Sequence, residues 1–225
     1  MRNLILLNLC IFLFLFSGLS QNSGIFPDSA YSKYTWQTFV KIPQLQDTLN
    51  WRKVDYSLLN AAVFFLTNKA REENRRSLLL FSPALRNVAD FHSTQMAKYE
   101  FVDHYNRINA AYSTPEKRGR KFNTSVIAEN VASSFLYNYK SGSPFYRASN
   151  GASYDFFTND NEPILPHTYL DFARQIVNDW MTSKGHRSNI LHPGLRTLGC
   201  AIRVGENDMS EGMIPMGYGT QNFGL

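Results

Sequence analysis

The sequence predicts an α+β domain, and three observations carry the prediction. Helical apolar spacing runs through the first half of the chain. Strand-like alternation appears only near its C-terminal end. The long segment between Ser133 and His167 has neither period. The 225 residues suffice for one domain, or one domain with an arm, and for a real core. With 44% hydrophobic and 18% charged residues, the composition is globular rather than disordered.

The elements follow in order. "MRNLILLNLCIFLFLFSGLSQ" places Arg2 before an apolar run that ends in small residues, which reads as a secretory signal peptide over residues 1–20, cleaved after Ser20. Its run from Leu9 to Phe16 is too short to span a bilayer comfortably, and no later segment is apolar enough to do so. Residues 21–55 hold Pro27 and Pro43 and no clear period, so they read as an arm lying on the domain. Leu58, Leu59, Ala62, Phe65 and Leu66 then follow helical spacing, with Asp55 or Ser57 as the cap. A second helix starts with Ser82 as cap and Pro83 at its first position. Its stripe of Leu85, Val88, Ala89, Met96 and Tyr99 includes His92, which reads as a hydrogen-bonded core histidine rather than a ligand.

Residues 102–123 read as an irregular loop. "TSVIAENVASSF" is a short apolar run broken by Glu129 and Asn130. The segment 133–167 carries Phe135, Tyr137, Tyr139, Phe145, Tyr146, Tyr154, Phe156 and Phe157, and reads as a long ordered loop, either packed on the sheet or forming a lid or a carbohydrate- or lipid-facing surface. "TYLDFARQIVNDWMTSK" is an amphipathic helix with Ala173, Ile176, Val177 and Trp180 inward. Lys184 suits the dipole at its end, and Gly185 is expected to terminate it. "TLGCAIRVG" alternates Leu198, Cys200, Ile202 and Val204 against Gly199 and Ala201, which predicts a strand closely covered on its second face. "MIPMGYGTQNFGL" reads as one more strand.

Charge and cysteines bound the function. The formal charge of +5 comes without a Lys/Arg block, so nothing supports nucleic-acid binding. Cys10 leaves with the signal peptide, so the mature chain keeps only Cys200 and forms no internal disulfide. Cys200 reads as a buried small hydrophobe rather than a nucleophile. Neither an HExxH helix nor a GxSxG elbow is present. Polar residues in apolar settings are His104, Glu129, Asn130, Asp179, Ser183, His186 and His192. Two imidazoles and a carboxylate suit a divalent metal with water in the open position, and equally suit acid–base chemistry. Their separation in sequence leaves their convergence open.

"LNAAVFFLTNKAR", "FSPALRNVADFHSTQMAKYEFVDH", "AENVA", "IVNDWMTSKGHRSNIL" and "GYGTQNFG" occur in the order expected of one family. Over residues 56–225 the chain resembles a bacterial-type member of the CAP superfamily, also called the SCP domain, the group of cysteine-rich secretory proteins, antigen 5 and plant pathogenesis-related 1 proteins. The resemblance implies a three-layer α-β-α sandwich with a mainly antiparallel central sheet, and a cavity lined by two His and two acidic residues that binds a divalent metal such as zinc in several members. Carried over, His104, Glu129 and His186 are the implied metal ligands, with Asn130, Asp179 and Ser183 lining the cavity. Ala128 replaces the Gly of the family's Gly-Glu-Asn motif. Ser183 stands where animal and plant members carry a second Glu, and either Asp179, one turn earlier on the same helix face, or a water on Ser183 is expected to stand in for it.

The same three residues are also able simply to bond one another and fix the Ala-Glu-Asn segment against the helix end. Metal held by neutral imidazoles should weaken as pH falls through about 6. The expected protein is exported, secreted or held in the periplasm or cell envelope. It requires no cofactor and binds a small apolar ligand or a protein partner without catalysis. The competing readings are a metal-assisted hydrolase or protease, and a cell-envelope adhesion or structural protein.

Overall fold

A computed structural model describes residues 26–148, 155–205 and 213–225; the expected signal peptide and Tyr154 lie outside these. Helix α1 (Trp36–Phe39) sits between two 3-10 turns in the arm. Helix α2 (Tyr56–Glu73) begins where the Asp55 carboxylate accepts from the N–H groups of Ser57 and Leu58, the expected cap. Strand β1 (Leu80–Phe81) leads into α3 (Pro83–Tyr99), capped by Ser82 with Pro83 at its first position, as read. Residues 102–123 are less irregular than their composition implies. They contain α4 (Pro115–Lys121), with Thr114 as its cap and Pro115 at its start. That cap-and-proline pair is the signal the apolar pattern lacks, because a seven-residue helix is too short to develop a stripe.

Strand β2 (Ala128–Phe135) runs straight through Glu129 and Asn130, both buried. A small antiparallel ribbon follows, β3 (Phe145–Arg147) with β4 (Phe156–Thr158). Helix α5 (Tyr169–Thr182) and helix α6 (Lys184–Ile190) come next, then β5 (Thr197–Val204) and β6 (Met216–Gly224). The break between α5 and α6 falls at Ser183, whose extended backbone ends one helix and opens the other. Gly185 is therefore not the terminator, and Lys184 is the first residue of α6 rather than a C-terminal dipole partner. Only one non-helical residue separates the two helices, too few for a glycine turn.

The main sheet has the order β1-β5-β6-β2. Strand β6 pairs antiparallel with both β5 and β2, and β1 pairs parallel with β5, so the sheet is mixed. Helix α3 covers one face. Ser93 of α3 donates to Ala201 O at 3.0 Å and bonds the Thr220 hydroxyl at 2.9 Å. A Cβ on Gly199 would lie 2.0 Å from Arg86 N and 2.3 Å from Leu85 C, so the glycine admits the α3 backbone itself. Helices α2 and α5 cover the other face, where Gly219 leaves room for Ile176 and Trp180 of α5. Beyond the short β1, the Asn60 side chain of α2 accepts from Ile202 N–H at 2.8 Å and replaces the missing strand neighbour.

The arm is built into this core. Phe39, Leu45 and Leu49 are buried in one apolar cluster with α2, α5 and β5. Phe39 stacks on Phe65 at 4.3 Å between centroids, and Tyr31 on Phe81 at 3.6 Å. The aromatic segment packs in as well: Leu136, Tyr137, Phe156 and Ile164 are buried in the same cluster. Asp155 ties the two together, accepting from Trp51 Nε1, from Arg52 and from the Tyr137 hydroxyl. Cys200 is a buried free thiol whose pKa burial drives up, as a small core residue should behave.

Candidate functional site

Strand alternation governs the candidate site. Register pairs Glu129 with Asn222 and Asn130 with Gln221, and successive side chains point to opposite faces. Glu129 therefore faces the α3 side. The Asn222 amide, with its NH2 toward the carboxylate, donates to Glu129 Oε2 at 3.0 Å and accepts from Ala89 N–H at 3.1 Å. Asn130 faces the opposite side. It donates to Gln221 Oε1 and to the His186 carbonyl, while Asn189 donates to it at 2.9 Å. Asn189 also donates to Glu129 O, which ties the α6 end to the β2 backbone as its residue type implies.

Glu129 and His104 do meet. His104, on the loop after α3, donates from Nδ1 to Glu129 Oε1 at 3.0 Å. The carboxylate is 2% exposed and the imidazole 51%. That hydrogen bond raises the His104 pKa above its ordinary value against the opposing pull of burial. His186 lies near enough that the His104 charge adds to burial in lowering its pKa. His186 itself is tied to the other face of β2 through its carbonyl, which accepts from Asn130.

The residue that sequence reasoning missed is Arg118. Its guanidinium, fully buried, donates from Nη2 to both Glu129 oxygens at 2.9 Å and to the His104 carbonyl at 3.1 Å. Nη1 donates to the carbonyls of Tyr112 and Ser113. Helix α4 exists at this place to present Arg118, and the residues around it, "TPEKRGRK", look like a solvated charged loop. The only prior signal was the helix start at Thr114 and Pro115.

The remaining expected residues go elsewhere. Asp179 accepts from the Ser134 hydroxyl at 2.8 Å. Ser134 is four residues along β2 from Asn130, roughly 13 Å, and on the face opposite Glu129. Asp179 is thus an anchor between α5 and β2, not a neighbour of Glu129. Ser183 supplies the helix junction: its N–H donates to Asp179 O, and its carbonyl accepts from Arg187 N–H. His192 is exposed, with Nδ1 accepting from Gly194 N–H. His92 is buried and bonds Asp103 O at 2.8 Å, the core histidine expected.

The model of the cysteine-rich secretory protein family, CAP, matches residues 64–223. The chain belongs to the CAP family. No curated protein matches it. Among solved structures, an extracellular SCP-domain protein of Bacillus anthracis aligns at 16% identity and TM-score 0.47, over 76% of this chain and 41% of that one. An outer surface protein of Borrelia burgdorferi aligns at 11% identity and TM-score 0.44, over 72% and 88%. A cysteine-rich secretory protein of Staphylococcus aureus aligns at 11% identity and TM-score 0.41, over 75% and 39%. This chain therefore spans less than half the length of two of these three proteins.

The metal that CAP membership implies can be tested against the donor set. Among the described residues no three His, Cys, Asp or Glu side chains group closely enough to hold an ion. Glu129 does not fit as a direct ligand, because a cation on either oxygen would face the Arg118 guanidinium already there. Glu129 instead stands behind His104, fixing its tautomer through Nδ1 and leaving Nε2 outward, as outer-sphere carboxylates do for ligating imidazoles. With Glu129 so engaged, no grouped set of three donors for an ion remains among the described residues.

Proposed function

We propose that this CAP-family protein is an exported, non-catalytic binding module for a small apolar ligand, and that its function needs no metal. One observation carries the reading. A groove of about 510 Å³ lies between the arm and α2, walled by Tyr31, Tyr34, Trp36, Phe64 and Phe81 and by Leu78–Leu80. Its size falls within the usual range of small-molecule sites, about 300–1,000 Å³, and its lining is aromatic and aliphatic with few polar groups. Leu80 is 71% exposed and Leu78 45%, an unusual cost in free surface unless something covers them. Export rests on the N-terminal leader, and no helix among the described residues is long and apolar enough to cross a membrane.

A hydrolase reading is weaker on this geometry. Its general base would be Glu129, yet that carboxylate is spent on Arg118, His104 and Asn222 and shut away from solvent. An adhesion reading would need the aromatic insert as a surface, and Tyr137 and Phe156 are core residues.

The test is a titration of the mature chain with the fluorescent fatty acid cis-parinaric acid, read by energy transfer from tryptophan. Saturable one-to-one binding is expected. Leu80→Glu should weaken it about tenfold or more, since the new carboxylate loses water when the groove fills. His104→Ala and His186→Ala should bind like the parent. Full binding by Leu80→Glu would remove the groove from consideration, and loss in the histidine variants would move the ligand to the β2 edge.

A further inference from the structure

Arg71 is buried completely in the last turn of α2, and its acceptors are all backbone carbonyls. Nε donates to Ser77 O at 2.7 Å, and Nη1 donates to Ile190 O at 2.6 Å and His192 O at 3.2 Å. Nη2 has no partner among the described residues. A guanidinium stays charged in a protein, and burying one without a carboxylate is costly. Its pKa is pulled below the ordinary value, first by burial and then by the positive charges of Arg76 and Arg196. Among the described residues, none of the groups that Arg71 donates to is an acid.

Directly over the α6 end that Arg71 holds lies a pocket of about 300 Å³. Arg76, Lys184, Arg187, Ser188 and His192 line it together with Leu191 and Pro193, and no aspartate or glutamate is among its lining residues. The acids at the end of α2 are committed elsewhere. Glu72 accepts from Trp36 Nε1 and from Gln37, and Glu73 pairs with Lys69 at 2.8 Å. Arg187 is held by a 3.0 Å hydrogen bond to Asn74, which gives its guanidinium a defined place at the rim. Arg76 from the segment after α2 and Lys184 and Arg187 from α6 thus bring cations to the pocket, close to a buried guanidinium that has no acidic hydrogen-bond partner among the described residues.

We infer that this pocket binds a phosphate group, free or carried on a lipid headgroup. A carboxylate, with one charge and two oxygens, is satisfied by one arginine fork. A phosphate presents more oxygens and more charge, and matches three cations converging from two segments. The site is independent of the apolar groove and stands whether or not that groove is filled.

The experiment is calorimetric titration of the mature chain with inorganic phosphate at low ionic strength. The test variant is Arg76→Ala/Arg187→Ala, and the control is Lys33→Ala/Lys41→Ala, which removes the same charge from exposed positions in the arm. All four residues are exposed, so thermal melts should confirm intact folding. Saturable one-to-one binding is expected, weakening with added sodium chloride, lost tenfold or more in the test variant and changed less than twofold in the control. Equal weakening in both variants would reduce the effect to net charge and overturn the site, as would the lack of saturable binding. Co-sedimentation with phosphatidylglycerol vesicles, against phosphatidylcholine vesicles, then separates the sources. Retention that free phosphate competes away, and that the test variant loses, identifies a headgroup. Phosphate binding without vesicle retention identifies a soluble phosphate or phosphate ester.

Discussion

His92 illustrates how one buried polar atom sets a chemical property. Its Nε2–H donates to the Asp103 carbonyl, so the neutral ring has its lone pair on Nδ1, which has no partner among the described residues. Protonation would place an N–H and a charge there with nothing to receive them, and burial pushes the imidazole down to about 4. The unfolded chain titrates near ~6.5, so between those values it binds more protons than the folded chain. Stability from this group is complete above about 6.5 and is lost as pH falls toward 4, by about 3 kcal/mol in all. Urea melts should therefore show a flatter acid limb for His92→Gln than for the parent; identical limbs would remove His92 as the cause. The residues of the β2 cluster were unevenly legible for a similar reason. His104 and Glu129 stand out as polar types in apolar stretches. Arg118 does not, because a lone arginine in a basic run looks solvated until a fold buries it beside a carboxylate.

At the scale of elements, two glycines with opposite surroundings make a matched test. Gly199→Ala would drive a methyl into the α3 backbone, which cannot move aside as a side chain would, and should cost about 3 kcal/mol. Gly185 lies inside α6 with nothing within 4 Å of an added Cβ, so Gly185→Ala should stabilise by roughly 0.5–1 kcal/mol through helix propensity. Chemical denaturation of the two variants checks both signs, and destabilisation by Gly185→Ala would restore the glycine as a helix stop. Long periodic elements were readable: α2, α3, α5, β5 and β6 all follow from apolar spacing and caps. The short ones were not, since α4 and the β3–β4 ribbon give too few residues for a period. The α5–α6 junction was misplaced by two residues because a helix can be broken by one extended serine, which leaves no glycine or proline to mark it.

For the whole molecule, the arm decides what counts as a folding unit. The family match begins at residue 64, inside α2, yet Phe39, Leu45 and Leu49 occupy the core and Leu49 N–H pairs with His167 O. Removing residues 26–55 would strip the apolar face of α2 that Phe39 and Tyr31 cover. We expect such a truncated chain to be insoluble or to bind 8-anilinonaphthalene-1-sulfonate at many weak sites, whereas the chain from residue 21 should melt cooperatively and bind the dye only at the single saturable groove. A soluble, cooperative 56–225 fragment would refute this.

The sheet order carries a consequence for biogenesis. Strand β6 is synthesised after every element it joins, and it sits between β5 and β2, with partners in β2 more than eighty residues earlier. Until it emerges, β2 has no neighbour and the layer between α3 and α5 has no centre. Such long-range closure is slow. A newly made chain thus remains unlocked through most of its synthesis, and the interior seals only when β6 arrives, a delay that would suit the export proposed above.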